Sequence, residues 1–245
     1  MNWLVRRALF SILPLLISFQ AGSELAHAAA GGVLIFGATR ATGLEVAKIL
    51  AARGEAVTAF VRPTSNLNEL QALKIKTVTG DALSSEDVAA VIVSGRFRAI
   101  ISTLGGGRGE TPPDAIGTKN IVDAAKSAGV ERLIVVTVIG PGNSISMVPA
   151  QQRETLGRSI ALKAEAEDFV TASGLSYTII RPGQLTSNPR SGIARLSLEP
   201  APTGPVTRGD LADLVVKCLD DDATRGKIYQ VIGDDPLAVK RMDRQ

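Results

Sequence analysis

The chain has 245 residues, is 45% hydrophobic and 21% charged, and carries a formal net charge of +3. That is the make-up of one ordinary globular domain plus a short extra segment, and a near-neutral charge with no basic block beyond Lys240-Arg241 does not suggest nucleic-acid binding. Cys218 is the only cysteine and His27 the only histidine, which excludes an intramolecular disulfide and a cysteine metal cluster; if His27 leaves with the leader described next, Ser-His-Asp hydrolysis and histidine-ligated zinc are excluded too.

Residues 1–28 follow the three-part plan of an export signal: a basic start to Arg7, an apolar stretch over 8–19, and a small, polar end containing Ala26-His27-Ala28. A cut is expected after Ala28, leaving 29–245 as the mature domain in the periplasm or an equivalent compartment. Arg6-Arg7-Ala8-Leu9-Phe10 also fits a twin-arginine signal. The apolar stretch is interrupted by Ser11, Pro14 and Ser18 and is short for a membrane span, so an uncleaved anchor is the alternative.

From residue 33 onward strands and helices alternate. The first predicted strand, 33–37, runs into Gly37; Gly43 follows six residues later and a helix is predicted over 42–53. A strand, a glycine turn and a helix have the form of a dinucleotide-binding fingerprint, because the turn brings backbone and a positive helix end close to a pyrophosphate. The spacing is irregular: Thr39 and Thr42 stand where G-x-G-x-x-G needs glycines, and Ala41 takes the middle place of G-x-x-x-G-x-G. A glycine-rich turn with no ligand is the alternative. The second strand, 56–61, ends at Arg62. An acid near this place usually holds the ribose hydroxyl of NAD, whereas an arginine can pair with the 2′-phosphate of NADP, and Arg40 lies in the adjacent turn; two solvated arginines are the alternative.

A helix over 66–73 and a strand over 75–79 lead to Gly80-Asp81-Ala82, where Asp81 is either an acceptor for the adenine amino group or a turn aspartate. A helix over 84–93 and a strand over 98–103 lead to Ser102-Thr103-Leu104-Gly105-Gly106, either a turn placed to pass the central riboses of a cofactor or a plain glycine turn. Then come a helix over 113–128, an apolar strand over 132–138, a helix over 151–173 and a strand over 176–181. Residues 182–206 lack periodicity and are rich in Pro, Gly, Ser and Arg; following a strand end, they read as a loop that closes over a substrate or as plain surface. A helix over 207–220, in which Cys218 reads as an inert core residue, and a strand over 227–232 complete the pattern. This alternation predicts an α/β fold: a single Rossmann-like, doubly wound parallel sheet with helices on both faces.

Taken in order, GATRATG, AFVR, GDAL, IISTLGG, GTKNIVDAAKSAGVERLIVVTVIG, KAEAE and YTIIRPG resemble an atypical short-chain dehydrogenase/reductase, of the NAD(P)-binding group that includes biliverdin/flavin reductase-like and NmrA-like proteins. The resemblance covers roughly 32–235. It implies a cofactor site formed by Gly37, Thr39, Arg40, Ala41, Thr42, Gly43, Arg62, Asp81, Ala82, Thr103, Leu104, Gly105, Lys163, Arg181 and Pro182. The cofactor implied is NADP(H), with NAD(H) as the alternative. Thr137 matches the active-site Ser or Thr, and Lys163 matches the lysine of the Tyr-x-x-x-Lys pair. Ser159 stands where the tyrosine should be, and neither Tyr177 nor Tyr229 rebuilds the pair.

A serine is far less acidic than the tyrosine that ordinarily protonates a forming alkoxide. Simple carbonyl reduction is therefore doubtful, while hydride transfer to a conjugated acceptor can draw its proton from solvent. Lys163 either holds the nicotinamide ribose or pairs with Glu167 one helical turn on. The expected function is an NADP(H)-dependent oxidoreductase acting on a small conjugated or carbonyl acceptor, with Thr137, Lys163 and Ser159 as catalytic candidates and no metal. The alternative is a non-catalytic NADP(H) sensor or assembly factor, with a sugar epimerase less favoured. The expected partner is a small-molecule substrate. The protein is expected to be a monomer or dimer, touching a membrane only through the N-terminal segment if that segment is uncleaved.

Overall fold

Val33, Leu34, Ile35 and Phe36 are all fully buried, because the strand they form lies at the centre of a sheet covered on both faces. The computed structural model describes residues 31–106, 112–202 and 204–234. The predicted export signal therefore lies outside the described residues. Strands β1 (Gly32–Phe36), β2 (Val57–Val61), β3 (Lys76–Thr79), β4 (Phe97–Ser102), β5 (Arg132–Val136) and β6 (Ser176–Arg181) alternate with helices α1 (Ala41–Ala52), α2 (Asn68–Ala72), α3 (Ser85–Val93), α4 (Asp114–Ala128) and α5 (Ala150–Thr171). A 3₁₀ turn, Gly142–Met147, precedes α5. The chain ends with β7 (Leu185–Thr186), β8 (Arg195–Ser197), β9 (Val206–Thr207), α6 (Arg208–Asp220) and β10 (Lys227–Ile232).

The main sheet has eight strands in the order β3-β2-β1-β4-β5-β6-β10-β8. From β1 the chain runs outward through β2 and β3, then crosses back to lay β4 on the other side of β1. The carboxyl ends of β1 and β4 therefore part at a topological switch point, where doubly wound sheets bind ligands. On one face α1 and α6 pack together, burying Val46, Leu50, Leu211 and Val215 against the sheet. On the other face α3, α4 and α5 pack in sequence, burying Val91, Ile121 and Val170.

The expected doubly wound sheet is present, and its strands are parallel except at one edge, where β8 pairs antiparallel with β10. Residues 182–206, which show no period in sequence, contribute β7 and β8 and lead into β9, which pairs with β7 in a separate two-stranded ribbon. Strands of two or three residues are too short to show a period in sequence. The segment is fastened to the head of α6. Asp210 accepts hydrogen bonds from Ser191 N (3.0 Å), Ser191 Oγ (2.6 Å) and Gly192 N (2.9 Å). Burial pushes the Asp210 carboxyl up, but these donors outweigh it and hold the group below its ordinary value. Cys218 is buried in α6, and burial pushes its thiol up to about 11, in keeping with a core role.

Candidate functional site

The site begins at the turn between β1 and α1. Gly37 has φ +89°, a conformation that favours glycine, and a Cβ there would stand 2.6 Å from Thr103 Oγ1. A Cβ on Gly43 would stand 2.1 Å from the Gly37 carbonyl oxygen. These glycines let β1, the first turn of α1 and the end of β4 meet at backbone distance, and Thr103 Oγ1 donates across the junction toward the Phe36 and Gly37 carbonyls (both 3.2 Å). Ala41 is left-handed, with φ +52°, where a glycine would fit without strain.

The N-terminus of α1 has no side-chain cap and no acidic residue in its first turn, whereas Ser84 caps α3 and Thr207 caps α6. Uncapped N–H groups and the positive end of the helix dipole therefore face the cleft at Arg40–Thr42.

Next to the turn lie the ends of β2 and β3. Arg62 is exposed at the end of β2. Asp81 makes the turn that the sequence allowed: its Oδ1 accepts from Leu83 N (2.9 Å), and its own N–H donates to Asp87 Oδ2 (2.9 Å). It also lines the cleft, so the two readings of this residue do not compete. Asn120, on α4, donates to the Ala82 carbonyl (2.9 Å) and holds that loop in place.

At the far end the charged groups are buried and partnered. Lys163 Nζ pairs with Asp114 Oδ1 (2.9 Å) and donates to the carbonyls of Leu104 (2.5 Å) and Val136 (3.3 Å). Asp114 also accepts from Gly106 N (3.2 Å), so the pair pins the 103–106 turn between α4, α5 and the end of β5. Glu167, the alternative partner that helix spacing offered Lys163, pairs with Arg181 instead, whose Nη2 stands 2.5 Å from Oε2. Glu167 also accepts from Thr137 Oγ1 (2.7 Å).

These ends enclose one cleft of about 730 Å³, within the usual range of cofactor sites of roughly 300–1,000 Å³. It brings together Gly37, Thr39, Arg40, Ala41, Thr42, Gly43, Arg62, Asp81, Ala82, Thr103, Leu104, Gly105, Thr137 and Lys163. Arg181 and Pro182 do not line it, because the Arg181 guanidinium turns toward Glu167 and Asn143 Oδ1 (3.1 Å), and the Pro182 carbonyl accepts from Ile139 N (2.8 Å). Ser159 is exposed on α5 and does not line it either. Sequence reasoning missed Asp114, Glu167, Asn120 and the cleft residues Phe60 and Arg208. Only Glu167 carried a signal, its spacing of one turn from Lys163, and that signal pointed to the wrong partner.

The switch-point cleft, the glycine-built turn and the uncapped helix end fit an extended dinucleotide, and together with the fold they define a Rossmann-type NAD(P)-binding protein. The NAD(P)H-binding family model matches residues 37–222, and the chain belongs to that family, in the atypical short-chain dehydrogenase/reductase group its motifs resemble. An uncharacterised chloroplast protein of Arabidopsis thaliana is 31% identical over 216 residues, spanning 82% of this chain and 76% of its own length. Sanguinarine reductase of Eschscholzia californica is 28% identical over 64% of this chain and 61% of its own length. Among solved structures, ChuY, an anaerobilin reductase of Escherichia coli O157:H7, superposes with a TM-score of 0.75 at 28% identity, covering 83% of this chain and 98% of its own.

Proposed function

We propose that the protein is an NADPH-dependent reductase that delivers hydride to a conjugated acceptor. One observation carries this reading: among the described residues, the ammonium and hydroxyl groups at the reaction end of the cleft are already engaged within the fold. The Lys163 ammonium is engaged by Asp114, Leu104 O and Val136 O. The Thr137 hydroxyl is engaged by Glu167, and Ser159 lies outside the cleft.

When bound, the nicotinamide supplies the hydride. The protein's contribution is then to hold reactants together and to shape the cavity, which can lower a barrier substantially without acid catalysis. A conjugated acceptor suits such a site, because the anion left after hydride transfer is delocalised and takes its proton from water. Relatives named as reductases support the class of reaction.

Arg40 and Arg62 beside the adenine end support NADPH over NADH. NADPH oxidation measured against riboflavin-type and quinone acceptors tests the reading, and turnover is expected. Tight NADPH binding without oxidation by any acceptor would turn it into a sensor. The preference is tested with Arg62→Ala. A charge-assisted hydrogen bond contributes about 1.5–3 kcal/mol, so NADPH should bind ~10-fold or more weakly while NADH changes little. Equal losses for both would remove the assignment of Arg62.

A further inference from the structure

We infer that Glu167 is a positioning residue that fixes Thr137 as a hydrogen-bond acceptor toward the cleft, so that the molecule reduced there presents an N–H or O–H group to Thr137. The inference rests on the reductase reading and names the class of substrate that reading takes.

Thr137, Glu167 and Arg181 are 6%, 4% and 6% exposed. Arg181 Nε donates to Oε1 (3.0 Å) and Oε2 (3.1 Å) of Glu167, and Nη2 donates to Oε2 (2.5 Å). A carboxylate gripped on both oxygens by a guanidinium is ionised and can only accept. The 2.7 Å contact between Thr137 Oγ1 and Glu167 Oε1 is therefore donated by threonine. A hydroxyl has one proton and two lone pairs. With its proton spent on Glu167, the Thr137 hydroxyl keeps only lone pairs to offer, and the residue itself lines the cleft.

A carbonyl oxygen placed against Thr137 would meet acceptor with acceptor. A lactam or imide N–H, or a phenolic or enolic O–H, would complete a hydrogen bond. The ammonium of Lys163 cannot reverse this preference while Asp114 and the two carbonyls hold it. This is the opposite polarity to a threonine that donates to a ketone.

The test compares lumiflavin with 3-methyllumiflavin, which differ by one N–H, as acceptors for NADPH. In the unaltered protein the KM for lumiflavin should be ~10-fold lower at similar kcat, the discrimination of a neutral hydrogen bond whose loss leaves a buried acceptor unmet. Thr137→Val should cancel the difference, Thr137→Ser should restore it, and Glu167→Gln should weaken it by freeing the threonine proton. Equal KM values for the two flavins, or a Thr137→Val change that raises both alike, would overturn the inference even if quinones are reduced.

If no acceptor is turned over, the reductase reading falls. The same flavin pair is then compared by fluorescence quenching on the NADP⁺-loaded protein, where a ~10-fold tighter lumiflavin complex supports the polarity of Thr137 and equal affinities overturn it.

Discussion

The two ends of the cleft are built on opposite plans. At the turn between β1 and α1 the helix N-terminus carries no side-chain cap and Arg40 is exposed. At the far end two buried charges are answered from within the fold, Lys163 in the cleft lining by Asp114 and Glu167, outside that lining, by Arg181. The difference teaches what each plan suits. Uncapped donors can take an anion by exchanging water for its oxygens at little rearrangement. Internally paired charges bind nothing by charge; they hold a backbone turn and one hydroxyl in a set orientation.

The comparison breaks most visibly where a buried charge loses its partner. Lys163→Met takes the cation from buried Asp114 and should cost about 3–5 kcal/mol, whereas replacing both residues by apolar ones of like volume should recover much of the loss. Thermal melts of the single and double variants check this, and equal melting temperatures for all would show that the pair is not a unit.

At the other end, Gly43→Ala drives a methyl into the Gly37 carbonyl. Overpacking of this kind costs ~1–3 kcal/mol, and NADPH affinity should fall together with the melting temperature. Wild-type affinity in this variant would mean that the turn does not hold the phosphates.

The loop flanking the far end should respond to pH through Asp210. Its carboxyl is held below its ordinary value, so its contribution is present above the unfolded value of about 3.9 and disappears as pH falls through the lower folded value. Asp210→Asn should melt lower than wild type at neutral pH, with the gap closing on the acid side, and its 187–192 segment should be cut faster by protease. The smallest effect is expected at Ala41. A left-handed alanine costs roughly 1–2 kcal/mol and glycine's extra unfolded-state freedom takes back about half of that, so Ala41→Gly should gain about 0.5 kcal/mol, or one to two degrees in melting temperature. A loss instead would show that the turn depends on the alanine methyl.

Much of the turn between β1 and α1 was legible in the chain because its signals are local. Gly37, Gly43 and the strand and helix around them lie within one stretch, and their spacing reports a turn whatever the rest of the protein does. The alternation of strands and helices likewise determined a doubly wound sheet, since a parallel strand needs a crossover before its neighbour. The antiparallel edge strand β8 escaped notice because three residues carry no period.

The far end was decided by tertiary structure alone. Helix spacing put Glu167 within reach of Lys163, and an isolated helix would have paired them. Docking of α5 against the sheet instead buried both. In the interior each charge must be met by whichever opposite charge the neighbouring elements bring close, and that was Asp114 from the head of α4 for Lys163 and Arg181 from the end of β6 for Glu167. A sequence states which groups are present and which are one turn apart. Burial decides which of them must find each other, and that choice also set the direction in which Thr137 points its proton.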